Sequence, residues 1–305
     1  MNRGFPVGAW LRLFRVSNAP TVASNVLAGA AVGMHARLAG SEVPSWEVFR
    51  CCCGALLAYA AGMALNDAFD ARTDARERPG RPIPSGRISR GGALAAGSVL
   101  LAGGTALLAS GGVGTALPAA ALAACIVAYD VAHRFLPGAF LLMAACRALV
   151  PVIAARAISP GADPALLWWV AGGLFAYVAA VTLAARNEVR GFGASARAAT
   201  ALLPPAACAP LGLWAAAGVP QEDALLATAG AGAVAFAVAC VAVGMRTASS
   251  GAMRWSVPAA VGTWLGAIPA IDAASCFLLG RPGLGIACLG LWGLAAAMRP
   301  RIAAS

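Results

Sequence analysis

Apolar residues fill the chain in long, almost unbroken runs, at about 18–36, 47–68, 91–111, 113–130, 138–158, 165–185, 198–218, 224–245, 257–279 and 283–298. A helix needs about 20 such residues to cross the hydrocarbon of a bilayer. The pattern therefore predicts an all-α polytopic membrane bundle with ten candidate transmembrane helices. Gly and Pro interrupt several runs, which spanning helices tolerate where neighbours repair the backbone. The last two runs are the weakest: Gly280-Arg281-Pro282 separates them, and Pro269 and Asp272 fall within the first of the pair. No linker or low-complexity tail divides the chain, so residues 1–305 read as a single transmembrane domain.

The polar positions between runs give an orientation. Arg72, Arg76, Arg78, Arg81, Arg87 and Arg90 lie between the second and third runs, and Arg134 between the fourth and fifth. Arg186, Arg190 and Arg197 lie between the sixth and seventh, and Arg246 and Arg254 follow the eighth. These loops share one side with the N-terminus and its Arg3, Arg12 and Arg15. The other side has the bare Gly111-Gly112 turn and the acidic Gln221-Glu222-Asp223 turn. Basic residues collect on the cytoplasmic face, and Arg299 and Arg301 prefer that side as well. The N-terminal arginines lead into an apolar run with no clear cleavage site, so this segment reads as a cytoplasmic lead and not a removed signal. The expected setting is an integral membrane protein of a bacterial inner membrane, surrounded by membrane lipids, with its active-site loops cytoplasmic.

Composition narrows the class further. The 305 residues are 60% hydrophobic and 11% charged, against about 25% charged in a soluble domain, and the mean hydropathy is +0.78. These values exclude an ordinary soluble globular protein, a disordered chain and a coiled coil. The net charge of +10 comes from 22 basic residues, all arginine. They punctuate apolar runs and form no basic face or tail, which argues against nucleic acid as a partner. The nine cysteines sit almost entirely inside apolar runs with no CxxC pair, and read as small buried hydrophobes.

The longest non-apolar stretch, within an Asp/Arg-rich segment 66–90, holds the candidate chemistry. It runs from Asn66-Asp67 through Asp70, Arg72, Asp74, Arg76, Arg78 and Arg81 to Ser85-Gly86, with Pro79 and Pro82 stopping any helix. Asp67, Asp70 and Asp74 are spaced i, i+3, i+7, within a roughly 60° arc of one helix face, and Asn66 flanks that arc. Three carboxylates so placed repel one another unless a cation sits among them. Hard oxygen donors with room for water and phosphate oxygens suit Mg²⁺, and guanidinium groups match phosphate in bidentate fashion. The spacing points to a diphosphate site at the membrane surface; a solvated loop of interleaved opposite charges fits the same spacing.

Asn66-Asp67-x-x-Asp70-x-x-x-Asp74, followed by Arg81-Pro82-x-x-Ser85-Gly86, resembles the first aspartate-rich motif of the UbiA superfamily of intramembrane prenyltransferases. Arg15-x-x-Asn18-x-x-Thr21 resembles the family's N-terminal Arg-x-x-Asn pattern. Tyr129 with His133-Arg134 stands where the family has a Tyr and a basic residue after the fourth span. The long motif is specific, the shorter ones weak alone, and the span spacing agrees along most of the chain. The resemblance implies a bundle of usually nine spans around a central cavity open sideways to lipid, and a polyprenyl diphosphate bound with its head at Mg²⁺. An allylic carbocation would then be captured by a lipophilic aromatic or alcohol acceptor. Asp67, Asp70 and Asp74 would ligate metal. Asn18, Asn66, Arg78, Arg81, Arg134 and Arg190 would serve the diphosphate. The second Asp-rich motif of the family is altered: its place reads Arg186-Asn187-Glu188-Val189-Arg190-Gly191, leaving Glu188 as the acidic ligand and Asn187 as a weaker one.

Other ionisable residues admit two readings each. Arg147 falls mid-way along the fifth run and Asp272 within the ninth; charges there face a cavity or each other. Either they meet diphosphate and acceptor, or they form a mutual ion pair. Tyr129 either faces the cation or anchors at the interface, and His133 either accepts a proton or is solvated in its loop. Trp168 and Trp169 read as an interface belt. A terpene cyclase on the same scaffold would ionise geranylgeranyl or farnesyl diphosphate identically and let the chain's own tail capture the cation. A CDP-alcohol phosphatidyltransferase is disfavoured because Ala71, not Gly, follows Asp70. A transporter is disfavoured because the acidic cluster lies at a run's end and not near the midplane.

Overall fold

The computed structural model describes residues 7–35, 44–186, 198, 200–217, 224–249 and 256–299. Among the described residues its regular structure is entirely helical, joined by turns, with no strand. Helix α1 (Val7–Leu13) leads through a short 3₁₀ turn (Val16–Asn18) into α2 (Ala19–His35), followed by the long α3 (Ser45–Glu77). Then come α4 (Arg90–Ala109), α5 (Val113–Ala132) and α6 (Ala139–Ile158). A composite helix joins α7 (Pro164–Leu167), a π-turn (Trp168–Gly172) and α8 (Gly173–Arg186). The last elements are α9 (Leu203–Ala207), α10 (Ala209–Ala217), α11 (Ala224–Ser249), α12 (Ser256–Leu278) and α13 (Pro282–Met298).

Each of the ten apolar runs thus becomes helix. Among the described residues seven helices are long and apolar enough to cross a membrane, while Leu203–Ala217 and Pro282–Met298 are shorter apolar helices. Helix α2 is also short, at 17 residues. Within the segment 66–90 the helix that carries Asp67, Asp70 and Asp74 runs as far as Glu77, and a run of turns with Pro79 and Pro82 follows it. Trp168 and Trp169, on the π-turn, are exposed, as an interface belt requires.

Local chemistry sets the helix ends. Ser89 caps α4 by accepting a hydrogen bond from the Gly92 amide at 3.0 Å, and Asp163 caps α7 through the Ala165 amide at 2.7 Å with Pro164 following it. Gly112 turns α4 into α5 at φ 100°, a value open mainly to glycine. At the far end of α3 the buried Arg50 donates to the Leu107 and Leu108 carbonyls at 2.6 and 3.3 Å. A guanidinium at a helix C-terminus meets both the orphan carbonyls and the negative end of the dipole, which fastens α3 to α4.

Small residues allow close helix approach, as bilayer packing favours. A Cβ on Gly29 of α2 would collide with the Pro151 backbone of α6. Pro151 lies inside α6, as Pro118 does in α5 and Pro269 in α12. Helix α12 is the central post: 78% of its apolar window is buried, far more than in any other candidate span. Its Trp264 is fully buried, and the indole donates to the Val241 carbonyl at 3.2 Å. Tyr177 donates to the Trp264 carbonyl at 2.8 Å, so both aromatic polar ends are satisfied.

Candidate functional site

Helices α2, α3, α5, α6, α8 and α12 enclose a cavity of about 240 Å³. Its walls are mostly apolar, with Val22, Met63, Leu122, Ile126, Val150 and Val178 among them. Polar groups enter at a few points: Arg15, Asn18, Tyr59, Tyr129, Asp130 and Arg147. An apolar hollow with a few convergent polar groups is the usual form of a small-molecule site.

The carboxylates of α3 stand next to its polar end. Asp67 lies one turn beyond the cavity-lining Met63, and both Asp67 and Asp74 are buried. Arg15 reaches Asp67 Oδ1 at 3.2 Å. Arg81 bridges two of the acids, 2.6 Å from Asp74 Oδ2 and 3.5 Å from Asp67 Oδ1. Asp70 is held from α5's end, by Arg134 at 2.6 Å and by His133 Nε2 at 3.2 Å. Asn66 donates to Asp130 Oδ1 at 3.2 Å. Opposite charges therefore alternate through a largely buried cluster, where partners are needed to offset the cost of desolvation.

Two local features fix the positions of the cations. Arg15 has φ 45°, a left-handed conformation unusual for a residue with a side chain and a form of stored strain found at functional sites. Tyr59 holds this joint by donating to the Arg15 carbonyl at 3.1 Å. His133, the C-cap of α5, stacks on Tyr129 with ring centroids 5.2 Å apart. The hydrogen bond to Asp70 holds the His133 imidazole above its ordinary pKa, against the opposing effect of burial.

A second polar group lies deeper. Arg147 donates to Asn25 Oδ1 at 3.1 Å and to Thr21 Oγ1 at 2.9 Å, and sits 5.8 Å over the Tyr59 ring. Asp272 Oδ2 accepts from Ser24 Oγ at 2.6 Å and Asn25 Nδ2 at 2.8 Å. Asn25 therefore joins the two charges, where a direct ion pair was one expectation. Asp272 is hydrogen-bonded from α2 and is not among the residues lining the cavity, whereas Arg147 and Tyr129 are. His133 is likewise turned to Asp70 and away from the cavity wall, and is half-buried where a solvated loop was the other reading. Arg78 is exposed at the C-cap of α3, remote in character from the buried Arg81. Asn187, Glu188 and Arg190 lie outside the described residues.

Sequence reasoning passed over Asp130 as a site residue. It is 3% exposed and lines the cavity, and its Oδ2 has no hydrogen-bond partner among the described residues. The available signal was its spacing: at the end of α5, Asp130 precedes His133 and Arg134 by three and four residues.

The donor set fits a hard divalent cation in kind. Three carboxylates share one face of α3, Asn66 flanks them, and a buried carboxylate oxygen of Asp130 has no partner among the described residues. With the side chains held by arginine and histidine, no three His, Cys, Asp or Glu groups among the described residues already form a metal cluster.

A model of the UbiA prenyltransferase family matches residues 26–255. Digeranylgeranylglyceryl phosphate synthase of Halobacterium salinarum is 34% identical over 166 residues, covering 54% of this chain and 53% of that protein. The synthase of the same name from Methanopyrus kandleri is 42% identical over 81 residues, 27% of each chain. The first of these matches thus spans about half the length of the curated relative. A UbiA homologue from Aeropyrum pernix has the same fold, with a TM-score of 0.62 at 18% identity over 83% of this chain and 96% of that one. A UbiA homologue from Archaeoglobus fulgidus, solved with GPP and Mg²⁺, gives 0.57 at 16% identity over 95% and 98%.

Proposed function

The chain belongs to the UbiA prenyltransferase family, and we propose that it moves a prenyl group from a prenyl diphosphate to the hydroxyl of a lipophilic alcohol. One observation carries this reading: an apolar cavity inside the bundle ends against a cluster of buried carboxylates and guanidinium groups. A molecule with a greasy tail and a polyanionic head matches both parts. The relatives named digeranylgeranylglyceryl phosphate synthase favour an alcohol of the glyceryl phosphate kind over an aromatic acceptor.

The chemistry divides among the residues. The tail occupies the apolar walls, and the diphosphate lies at Arg15, Asn18 and Asn66. Arg81 and Arg134 now pair with carboxylates through charged, directional contacts. These guanidinium groups are suited to receive phosphate oxygens in turn, with Arg78 at the exposed edge. Asp67, Asp70 and Asp74, with Glu188 from the altered second motif, would hold Mg²⁺, which supplies Lewis-acid stabilisation of negative charge on the departing oxygens. When the carbon–oxygen bond to diphosphate breaks, the electron pair leaves with the diphosphate and an allylic cation remains. The Tyr129 ring and the Tyr59 ring beside Arg147 border that space, and ring faces attract cations. The acceptor hydroxyl forms the new carbon–oxygen bond and gives up its proton to the departing diphosphate. Apolar walls keep water from capturing the cation first. We place the carboxylate end at the cytoplasmic face, from the arginine distribution. The relatives named above are archaeal, so a bacterial inner membrane draws no support from them.

Purified protein in nanodiscs, given geranylgeranyl diphosphate, Mg²⁺ and a geranylgeranylglyceryl phosphate acceptor, should yield one ether product and one pyrophosphate per turnover by mass spectrometry. A cyclic hydrocarbon or alcohol formed without acceptor would overturn the transferase reading in favour of a cyclase. Full turnover in EDTA would remove the metal from it.

A further inference from the structure

The α3 carboxylates are not the whole acidic complement of this site. Asp130 comes from a different helix, α5, and is one of the few polar groups on the cavity wall. It is 97% removed from solvent, at 3% exposure. Asn66 satisfies one of its oxygens at 3.2 Å, while Oδ2 has no partner among the described residues. A buried carboxylate oxygen left without a donor is costly, and structures keep such groups where an ion or ligand supplies the missing contact.

Its surroundings specify the kind of ligand. Asn66 directly precedes Asp67 in the α3 motif, and its amide joins Asp130 to that motif. One turn beyond Asp130, His133 and Arg134 hold Asp70. The last turns of α3 and α5 are thereby tied together, with Asp130 on the cavity side of the seam. Asp67, Asp70 and Asp74 each already have a cationic partner in Arg15, Arg81, Arg134 or His133. Asp130 has an amide and an open oxygen. A neutral alcohol could satisfy one lone pair there, but the adjacent carboxylates favour a cation.

We infer that Asp130 is a further carboxylate of the divalent-cation site, supplying an oxygen from α5 to a metal otherwise held from α3. This rests on the functional reading above and adds a ligand from a second helix. A fourth acid strengthens a hard-cation site through charge count, and a ligand on α5 couples metal binding to the cavity wall that meets the tail.

The test uses Mn²⁺ as probe, its free fraction read by electron paramagnetic resonance on the full chain in nanodiscs, with and without inorganic pyrophosphate. Asp130→Asn should raise the Mn²⁺ dissociation constant by about tenfold or more. Asp130→Glu, which keeps the carboxylate, should recover most of the loss. Turnover of the Asn variant should return as Mg²⁺ is raised. Asp130→Ser repeats the measurement should the Asn variant elute as aggregate. If wild type binds Mn²⁺ and both the Asn and Ser variants bind it equally well, Asp130 is no ligand, although the prenyl-transfer reading stands. Unchanged affinity with turnover lost at every Mg²⁺ concentration would instead assign Asp130 to the acceptor and overturn the inference. No Mn²⁺ binding by wild type under either condition would end both the inference and the metal role proposed for α3.

Discussion

Two polar clusters interrupt the apolar bundle, and they take their counter-charges from different kinds of backbone. At the end of α3, the acids sit on a long helix while their cations come from joints and turns. Arg15 occupies a left-handed joint, Arg81 lies in the turn after α3, and His133 and Arg134 lie just past α5. Deeper in the bundle, Ser24 and Asn25 of α2, Arg147 of α6 and Asp272 of α12 all project from helices packed against one another. Segments at connections open at lower free energy than packed helices. On the proposed reading the outer cluster would exchange partners when substrate arrives, whereas the inner network braces three helices. Similar residue types thus serve different ends according to what carries them.

Substitutions separate the clusters, and the largest effect belongs to the outer one. Asp67→Asn and Asp70→Asn should each lower prenyl transfer at saturating Mg²⁺ by on the order of 10²-fold or more, a loss typical of removing one electrostatic contact to a developing charge. In the inner network, Asp272→Ala should show mainly in stability. It strips the acceptor from Ser24 and Asn25, and buried donors left without partners cost about 1–3 kcal/mol. Thermal unfolding in nanodiscs should register that loss, while Mn²⁺ affinity stays near wild type. An Asp272→Ala variant with normal stability and lost metal would erase the distinction between the clusters.

Arg81→Lys is a milder probe of the outer cluster. Arg81 reaches both Asp67 and Asp74 through the single nitrogen Nη1; lysine keeps that charge and loses the planar guanidinium that matches phosphate oxygens. The expected outcome is about a tenfold rise in KM for the prenyl diphosphate, or ~1.4 kcal/mol, with a smaller change in kcat. The smallest effect is that of pH. Asp70 raises the His133 pKa in the folded protein, so protonation favours the fold. The contribution is complete below the ordinary histidine value of about 6.5 and fades as pH rises through the higher folded value. Wild type should therefore lose melting temperature relative to His133→Gln on alkalinisation through that window. Parallel melting curves would show the pair to be without consequence.

The helices were legible because long apolar runs with few charges admit little else in a bilayer, and each of the ten runs contains a helix. The i, i+3, i+7 spacing of Asp67, Asp70 and Asp74 was legible for a similar reason: helical geometry alone puts them on one face. The partners of those acids were harder to read. Arg15 appears in the sequence merely as part of an N-terminal pattern, and its left-handed backbone depends on Tyr59, 44 residues away. Asp130 lies at the end of an apolar run, and its meaning comes from Asn66 across a helix–helix contact. Asn25 looks like an isolated polar residue in a span until α6 and α12 bring Arg147 and Asp272 to either side. Local pattern gives the elements; long-range contacts decide which charges meet.

Pro151 carries a further consequence for the cavity. Proline has no amide hydrogen, so the carbonyl four residues earlier loses its helical partner, and in α6 that carbonyl belongs to Arg147. The cavity's inner cation is therefore mounted on the rung where the ladder of that helix is broken. On the other side of the same proline, Gly29 leaves α2 no room to follow. On the proposed reading, a prenyl chain pressing on this wall would meet a beam notched at the level of its charge and backed by a close neighbour, and any bending there would alter the reach of the guanidinium and the depth of the chamber together.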